Sequence, residues 1–140
     1  MAIYILRHFR AESENALGDV KMLGCYSSLN TIKTVIKKYN SICGFSMHPH
    51  GFCWHKCIVC GNVEQDRGHV YLAEIYIHDK KYEFEYDELL GAFWKSADAE
   101  SCLSEFKSDN SDIMENGGFE IECTVSEYKI NEMQWRNGFS

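Results

Sequence analysis

The segment His48-Pro49-His50-Gly51-Phe52-Cys53-Trp54-His55-Lys56-Cys57-Ile58-Val59-Cys60 concentrates thiols and imidazoles, the ligand mixture that zinc prefers in tetrahedral sites. Cys57-x-x-Cys60 is half of a zinc knuckle, and Cys53 and His55 stand just before it, so these four are the candidate metal ligands and zinc the candidate cofactor. The context is wrong for a knuckle. No second Cys-x-x-Cys follows, and the segment reads as a β-strand. On a strand Cys53, His55 and Cys57 share one face with neighbours ~6.8 Å apart, so their side chains would have to converge on a metal. The alternative is a set of ordinary strand residues. Redox chemistry at Cys57-x-x-Cys60 lacks a predicted helix N-terminus to lower a thiol pKa.

A second group is acidic. Glu83, Glu85 and Asp87 alternate with Tyr82, Phe84 and Tyr86, and Glu120 and Glu122 alternate with Phe119 and Ile121. Strict alternation is the pattern of a half-buried strand, so each acidic row points one way. If both strands share a sheet face, the carboxylates meet there. Like charges set opposite one another destabilise a sheet, and a cationic partner would compensate them. Paired carboxylates can also perform acid–base chemistry, but no substrate handle accompanies them. Neither a Gly-x-Ser-x-Gly elbow nor a phosphate-cradling Gly-rich loop occurs, and a non-enzymatic role is expected.

The elements that carry these residues recur. Shifted by 67 positions, the chain superposes on itself without a gap: Gly24 falls on Gly91, Leu23 on Leu90, Tyr4 on Tyr71 and Gly51-Phe52 on Gly118-Phe119. Strands are predicted at residues 3–9 and 70–77, with further strands ending near Leu23 and covering 82–87. A glycine after each marks a bulge or a close helix–sheet approach. Helices follow over 28–40, with Leu29, Ile32, Ile36 and Tyr39 on one face, and over 96–107, where Ser96 or Asp98 could cap. Both are expected to exit into polar loops. Strands at Phe52–Cys60 and Phe119–Lys129 close the copies, with Phe52, Trp54 and Ile58 matched to Phe119, Ile121 and Val125 on the core side. The expected fold is α+β, a tandem β-β-α-β repeat with mainly antiparallel sheet, packed as one globular domain from repeats 1–67 and 68–140. Two units of this size are each marginal alone.

Composition supports a packed body: 45% of residues are hydrophobic, 14% aromatic and one is proline. No run is long enough for a membrane helix, and the N-terminus lacks the pattern of a signal peptide, so a cytoplasmic location and no membrane partner are expected. Seven cysteines without a secretory signal point to thiols; Cys43, Cys102 and Cys123 fit as small buried hydrophobes. His8, His69 and His78 stand alone. The net charge of −7 is unevenly divided: residues 1–67 carry eight Lys/Arg against five Asp/Glu, and residues 68–140 six against sixteen. That excludes the basic footprint of a nucleic-acid binder and suits a basic protein partner.

The tail Asn131-Glu132-Met133-Gln134-Trp135-Arg136-Asn137-Gly138-Phe139-Ser140 reads as an aromatic lock on the core, with Gly138 turning Phe139 back under Trp135. The run Leu23-Gly24-x-Tyr26-Ser27-Ser28, a helix, Gly44-Phe45, Gly51-Phe52 and the closing Trp135-x-x-Gly138-Phe139 resembles a group of small uncharacterised bacterial proteins in which a β-α-β unit ends in a Trp-x-x-Gly-Phe tail. That resemblance covers residues 1–60 and the tail and implies no chemistry. By type alone, the size, acidity and duplicated α+β body resemble immunity proteins of bacterial toxin systems, cytoplasmic inhibitors that hold a toxin domain through an acidic surface. The expected function is therefore non-catalytic binding of a basic toxin domain through Glu83, Glu85, Asp87, Glu120 and Glu122. The alternative is a zinc-binding regulatory or interaction protein built on Cys53, His55, Cys57 and Cys60.

Overall fold

The computed structural model describes residues 1–10, 19–42, 45–46, 49–61, 68–81 and 83–135. Its elements are β1 (Ala2–Arg10), β2 (Asp19–Tyr26), α1 (Leu29–Tyr39), β3 (Phe52–Cys60), β4 (His69–Asp79), β5 (Phe84–Phe93), α2 (Ser96–Asp109), α3 (Ser111–Asn116) and β6 (Phe119–Lys129). The hydrogen-bonded strand order is β2-β1-β3-β5-β4-β6, a mixed α+β arrangement with mostly antiparallel pairing. Two compact units divide the chain, Met1–Cys57 with Lys129–Ser140, and Ile58–Tyr128. Residues 11–18, between β1 and β2, lie outside the described residues.

In the first unit β1 and β2 pair antiparallel from Tyr4↔Tyr26 to Arg10↔Asp19, with a register shift between Leu6 and Arg7 opposite Gly24. Gly24 has φ +122°, and a Cβ there would lie 2.8 Å from the Glu132 carbonyl oxygen, so the bulge needs glycine. The Phe9 N–H donates to the Gly51 carbonyl at 2.8 Å and sets the start of β3 beside β1. Helix α1 begins where the Ser28 hydroxyl accepts the Thr31 N–H at 3.1 Å, and Lys37 and Lys38 in its last turn complement the helix dipole. Ile32, Val35 and Tyr39 form its buried stripe, packed with Leu6, Leu23, Tyr26 and Phe45. His8, expected to stand alone, is fully buried, its ring 5.0 Å from Phe45 and 4.7 Å from Phe52.

The tail does lock onto this unit, but not through Trp135. The Asn131 N–H donates to the Cys25 carbonyl at 2.8 Å and the Gln134 N–H to the Leu23 carbonyl at 3.3 Å. Asn131 Oδ1 accepts the Ser27 N–H at 2.9 Å, and the Tyr39 hydroxyl donates to the carbonyls of Leu23 and Gln134. Met133 supplies the apolar contact, whereas Trp135 stays exposed with Lys21 Nζ 4.5 Å from its ring centroid. Main-chain groups do the holding because they satisfy the carbonyls of an otherwise open strand. Gly138 and Phe139 lie outside the described residues.

In the second unit β4 and β5 pair antiparallel, with a register shift between Ala73 and Glu74 next to the Ala73↔Gly91 pair, and the end of β3 joins β5 in parallel through Val59↔Ala92 and Cys60↔Phe93. Strand β5 extends through Gly91 to Phe93, so the glycine lies within the strand and not after it. Helix α2 has no side-chain cap: Ser96 is already helical and Lys95 occupies the cap position, against the expectation for Ser96 or Asp98. The expected exit loop is instead a second helix. Asn110 ends α2 and opens α3, its Nδ2 donating to the Phe106 carbonyl at 2.9 Å. Ala99 and Leu103 bury against Ala73 and Ile75, with Cys102 and Cys123 half-buried at the margin. The fully buried cysteine is Cys25, and Cys43 lies outside the described residues.

The core side predicted for β3 is wrong beyond Phe52. Trp54 is 45% and Ile58 69% exposed, because α1 packs on β1 and β2 and does not run along β3.

Candidate functional site

Strand β4 separates the two acidic rows. Its pairing sets His78 opposite Glu85 and Tyr76 opposite Asp87 on β5. On its other side His78 Nδ1 lies 3.6 Å and Lys80 Nζ 3.2 Å from Glu120 of β6. Further along, Tyr71 and His69 meet Glu127, so β4 and β6 run antiparallel. Alternation then assigns the faces. Tyr71, Ile75 and Ile77 look toward α2, while Tyr76 and His78 share the opposite face with Glu85, Asp87, Glu120 and Glu122. Glu83 stands in the turn before β5 with φ 50°. All five predicted carboxylates are exposed.

The expected clash of like charges is relieved by what lies between them. Rows on β5 and β6 are two strand spacings apart, ~9.6 Å, with Tyr76 and His78 interposed. The Tyr76 hydroxyl donates to Glu85; that bond, then burial and the charges of Glu85, Asp87 and Glu122, push its pKa up to about 12. Lys80, then His78, hold the Glu120 carboxyl below the usual glutamate range. The face is thus a polar network with surplus negative charge at Asp87 and Glu122.

The Cys/His group follows a different course. Cys53, His55 and Cys57 lie on the face of β3 away from α1, and alternation turns Cys60 to the opposite face, where it neighbours Cys102. Nδ1 of His55 accepts from the Arg7 guanidinium at 3.2 Å, since arginine only donates. Partial burial, then the Arg7 charge, lower the His55 pKa. Among the described residues no group of three His, Cys, Asp or Glu side chains is arranged to hold a metal ion.

A cavity of about 350 Å³ lies on the helix side of the second unit, between β4, β6 and the α2–α3 pair. Ile75, Ile77, Phe106 and Ile121 line it, and Ile113 (48% exposed) and Phe119 (38% exposed) stand at its open side.

No family model, curated protein or solved structure matches this chain. No helix among the described residues is long and apolar enough to cross a membrane.

Tyr76, His78 and Lys80 were missed by sequence reasoning, which treated the acids apart from the strand between them. The alternation Glu74-x-Tyr76-x-His78-x-Lys80 carried the signal, because it marks the polar side of a strand whose other side is apolar at Ala73, Ile75 and Ile77. Ile113 was missed with α3, since its six residues show no helical periodicity to detect.

Proposed function

We propose that this protein is a non-catalytic binding protein that engages a basic protein partner through Glu83, Glu85, Asp87, Glu120 and Glu122. The observation that carries the reading is the presence of two acidic rows on one face, flanking the Tyr76–His78 row of β4. The −10 balance of residues 68–140 extends that field and would steer a cationic partner toward it. Within this class we favour an immunity protein acting in the cytoplasm, which would occlude the active site or substrate groove of a basic toxin domain. We further infer a tandem β-β-α-β repeat. Its support is that β1, β2, α1 and β3 each start within two residues of β4, β5, α2 and β6 after a shift of 67, with the register shifts at Leu6/Arg7 and Ala73/Glu74 offset by the same amount.

The test begins with cross-linking in the native cell to identify the partner, followed by association kinetics at low and physiological salt. The variant combining Glu83→Lys, Glu85→Lys, Glu120→Lys and Glu122→Lys should associate at least tenfold more slowly, with a flattened salt dependence and unchanged secondary structure. Unchanged affinity would overturn the reading. For the immunity assignment, co-expression with the partner's toxic domain should restore growth, and failure to do so removes that assignment.

A further inference from the structure

We propose that β6 receives an extended segment of the basic partner as an added strand, one whose side chains alternate between Lys/Arg and Val/Ile/Leu. This rests on the binding role proposed above and names the chemistry of its partner.

Three observations converge on β6. First, it ends the hydrogen-bonded strand order, so among the described residues no further strand uses its outer row of backbone donors and acceptors. At eleven residues it is long for an edge strand, which proteins usually shorten or cover. The other terminal strand, β2, is covered over Leu23–Cys25, where Asn131 and Gln134 donate to the carbonyls of Cys25 and Leu23. Second, the helix-side face of β6 borders the cavity of about 350 Å³, with the exposed Phe119 and Ile113 beside it. Third, the opposite face of the same strand carries Glu120 and Glu122.

A strand laid along β6 continues both faces. Its alternate side chains would fall beside Phe119, Ile121 and Ile113 on one side and beside Glu120 and Glu122 on the other. The first set must be apolar to gain from the cavity, and the second cationic to offset carboxylates that β4 compensates only at Glu120. A second copy of this chain fits poorly, since pairing β6 with β6 sets two acidic faces side by side. A small polar ligand fits poorly too: the polar lining is Glu88 and Asn110, and the Asn110 amide is already donated to Phe106.

The experiment uses the full chain and a fluorescein-labelled heptapeptide, Lys-Val-Lys-Val-Lys-Val-Lys, followed by anisotropy. The comparisons are the same peptide with Glu for Lys and two forms N-methylated at every valine or at every lysine. Saturable binding is expected, at least tenfold weaker for the Glu peptide. One N-methylated form should lose at least tenfold in affinity and the other little, because alternate residues direct their N–H groups at the neighbouring strand. Ile113→Lys should weaken binding at least fivefold with melting unchanged. Equal binding by both methylated forms would overturn strand addition while leaving the acidic face as the contact. Absence of peptide binding, with the folded partner still sensitive to the four-site reversal, overturns the edge inference alone. Absence of both effects overturns it together with the proposed function.

Discussion

Each unit holds an antiparallel strand pair with a glycine-associated register shift, yet the two finish their cores differently. In the first, Tyr26, Tyr39 and Phe45 are fully buried, and backbone bonds from Asn131 and Gln134 cover β2 over Leu23–Cys25. In the second, Ala73, Ala99, Ile75 and Leu103 form the buried cluster, a cavity remains beside it, and β6 ends the strand order. Large aromatic rings fill the first cluster, whereas small and aliphatic side chains make up the second, with space beside it. The first unit reads as scaffold, and the second carries the acidic rows.

The largest test of that contrast is a pair of core truncations. Ile32→Ala should cost about 4 kcal/mol and Ile75→Ala about 2–3 kcal/mol, because the second site borders the cavity, into which neighbours can relax. Equal losses in denaturant unfolding would break the contrast. Next come the paired glycines. Gly24→Ala places a side chain at φ +122° and 2.8 Å from a fixed carbonyl oxygen, and should cost about 2–3 kcal/mol. Gly91→Ala meets the Phe93 ring at 2.9 Å and should cost about 1 kcal/mol, since a half-buried ring can move. Thermal melts of the two variants measure the difference.

A smaller effect is expected for Tyr39→Phe, which removes the hydroxyl bonded to Leu23 and Gln134: about 1–1.5 kcal/mol, with faster hydrogen exchange at the Gln134 amide. Unchanged exchange would mean that the tail is held without this hydroxyl. The smallest is a pH effect at Glu120. Its carboxyl pKa is depressed by Lys80 and then His78, so the associated stabilisation is full above the ordinary glutamate range and is lost as pH falls through the lowered value. In Lys80→Met the Glu120 carboxyl should titrate at higher pH by NMR. An unmoved titration would remove Lys80 as the cause.

Much of the fold was legible because local chemistry and tertiary demand agreed. The spans of β3 and β6 follow from β-branched and aromatic runs bounded by glycine. The span of α1 follows from a Ser28 cap and an apolar stripe of period 3.6. The acidic rows were legible by alternation alone. Trp54 and Ile58 were misread because periodicity gives the two faces of a strand without telling which a helix will cover. The tail was misread because aromatic residues dominate a sequence pattern, while the groups that anchor it are backbone N–H donors of Asn131 and Gln134, which no sequence pattern displays.

By itself, then, the amino-acid sequence determined where α1, α2 and the cores of the six strands form and which carboxylates sit together along each strand, since those depend on neighbours within a few residues. Tertiary structure alone decided that β4 lies between the two acidic rows, that Cys60 is brought beside Cys102, and that β2 is covered over Leu23–Cys25 while β6 ends the strand order. Strand order depends on contacts between residues dozens of positions apart, and periodicity within one strand holds no record of its neighbour.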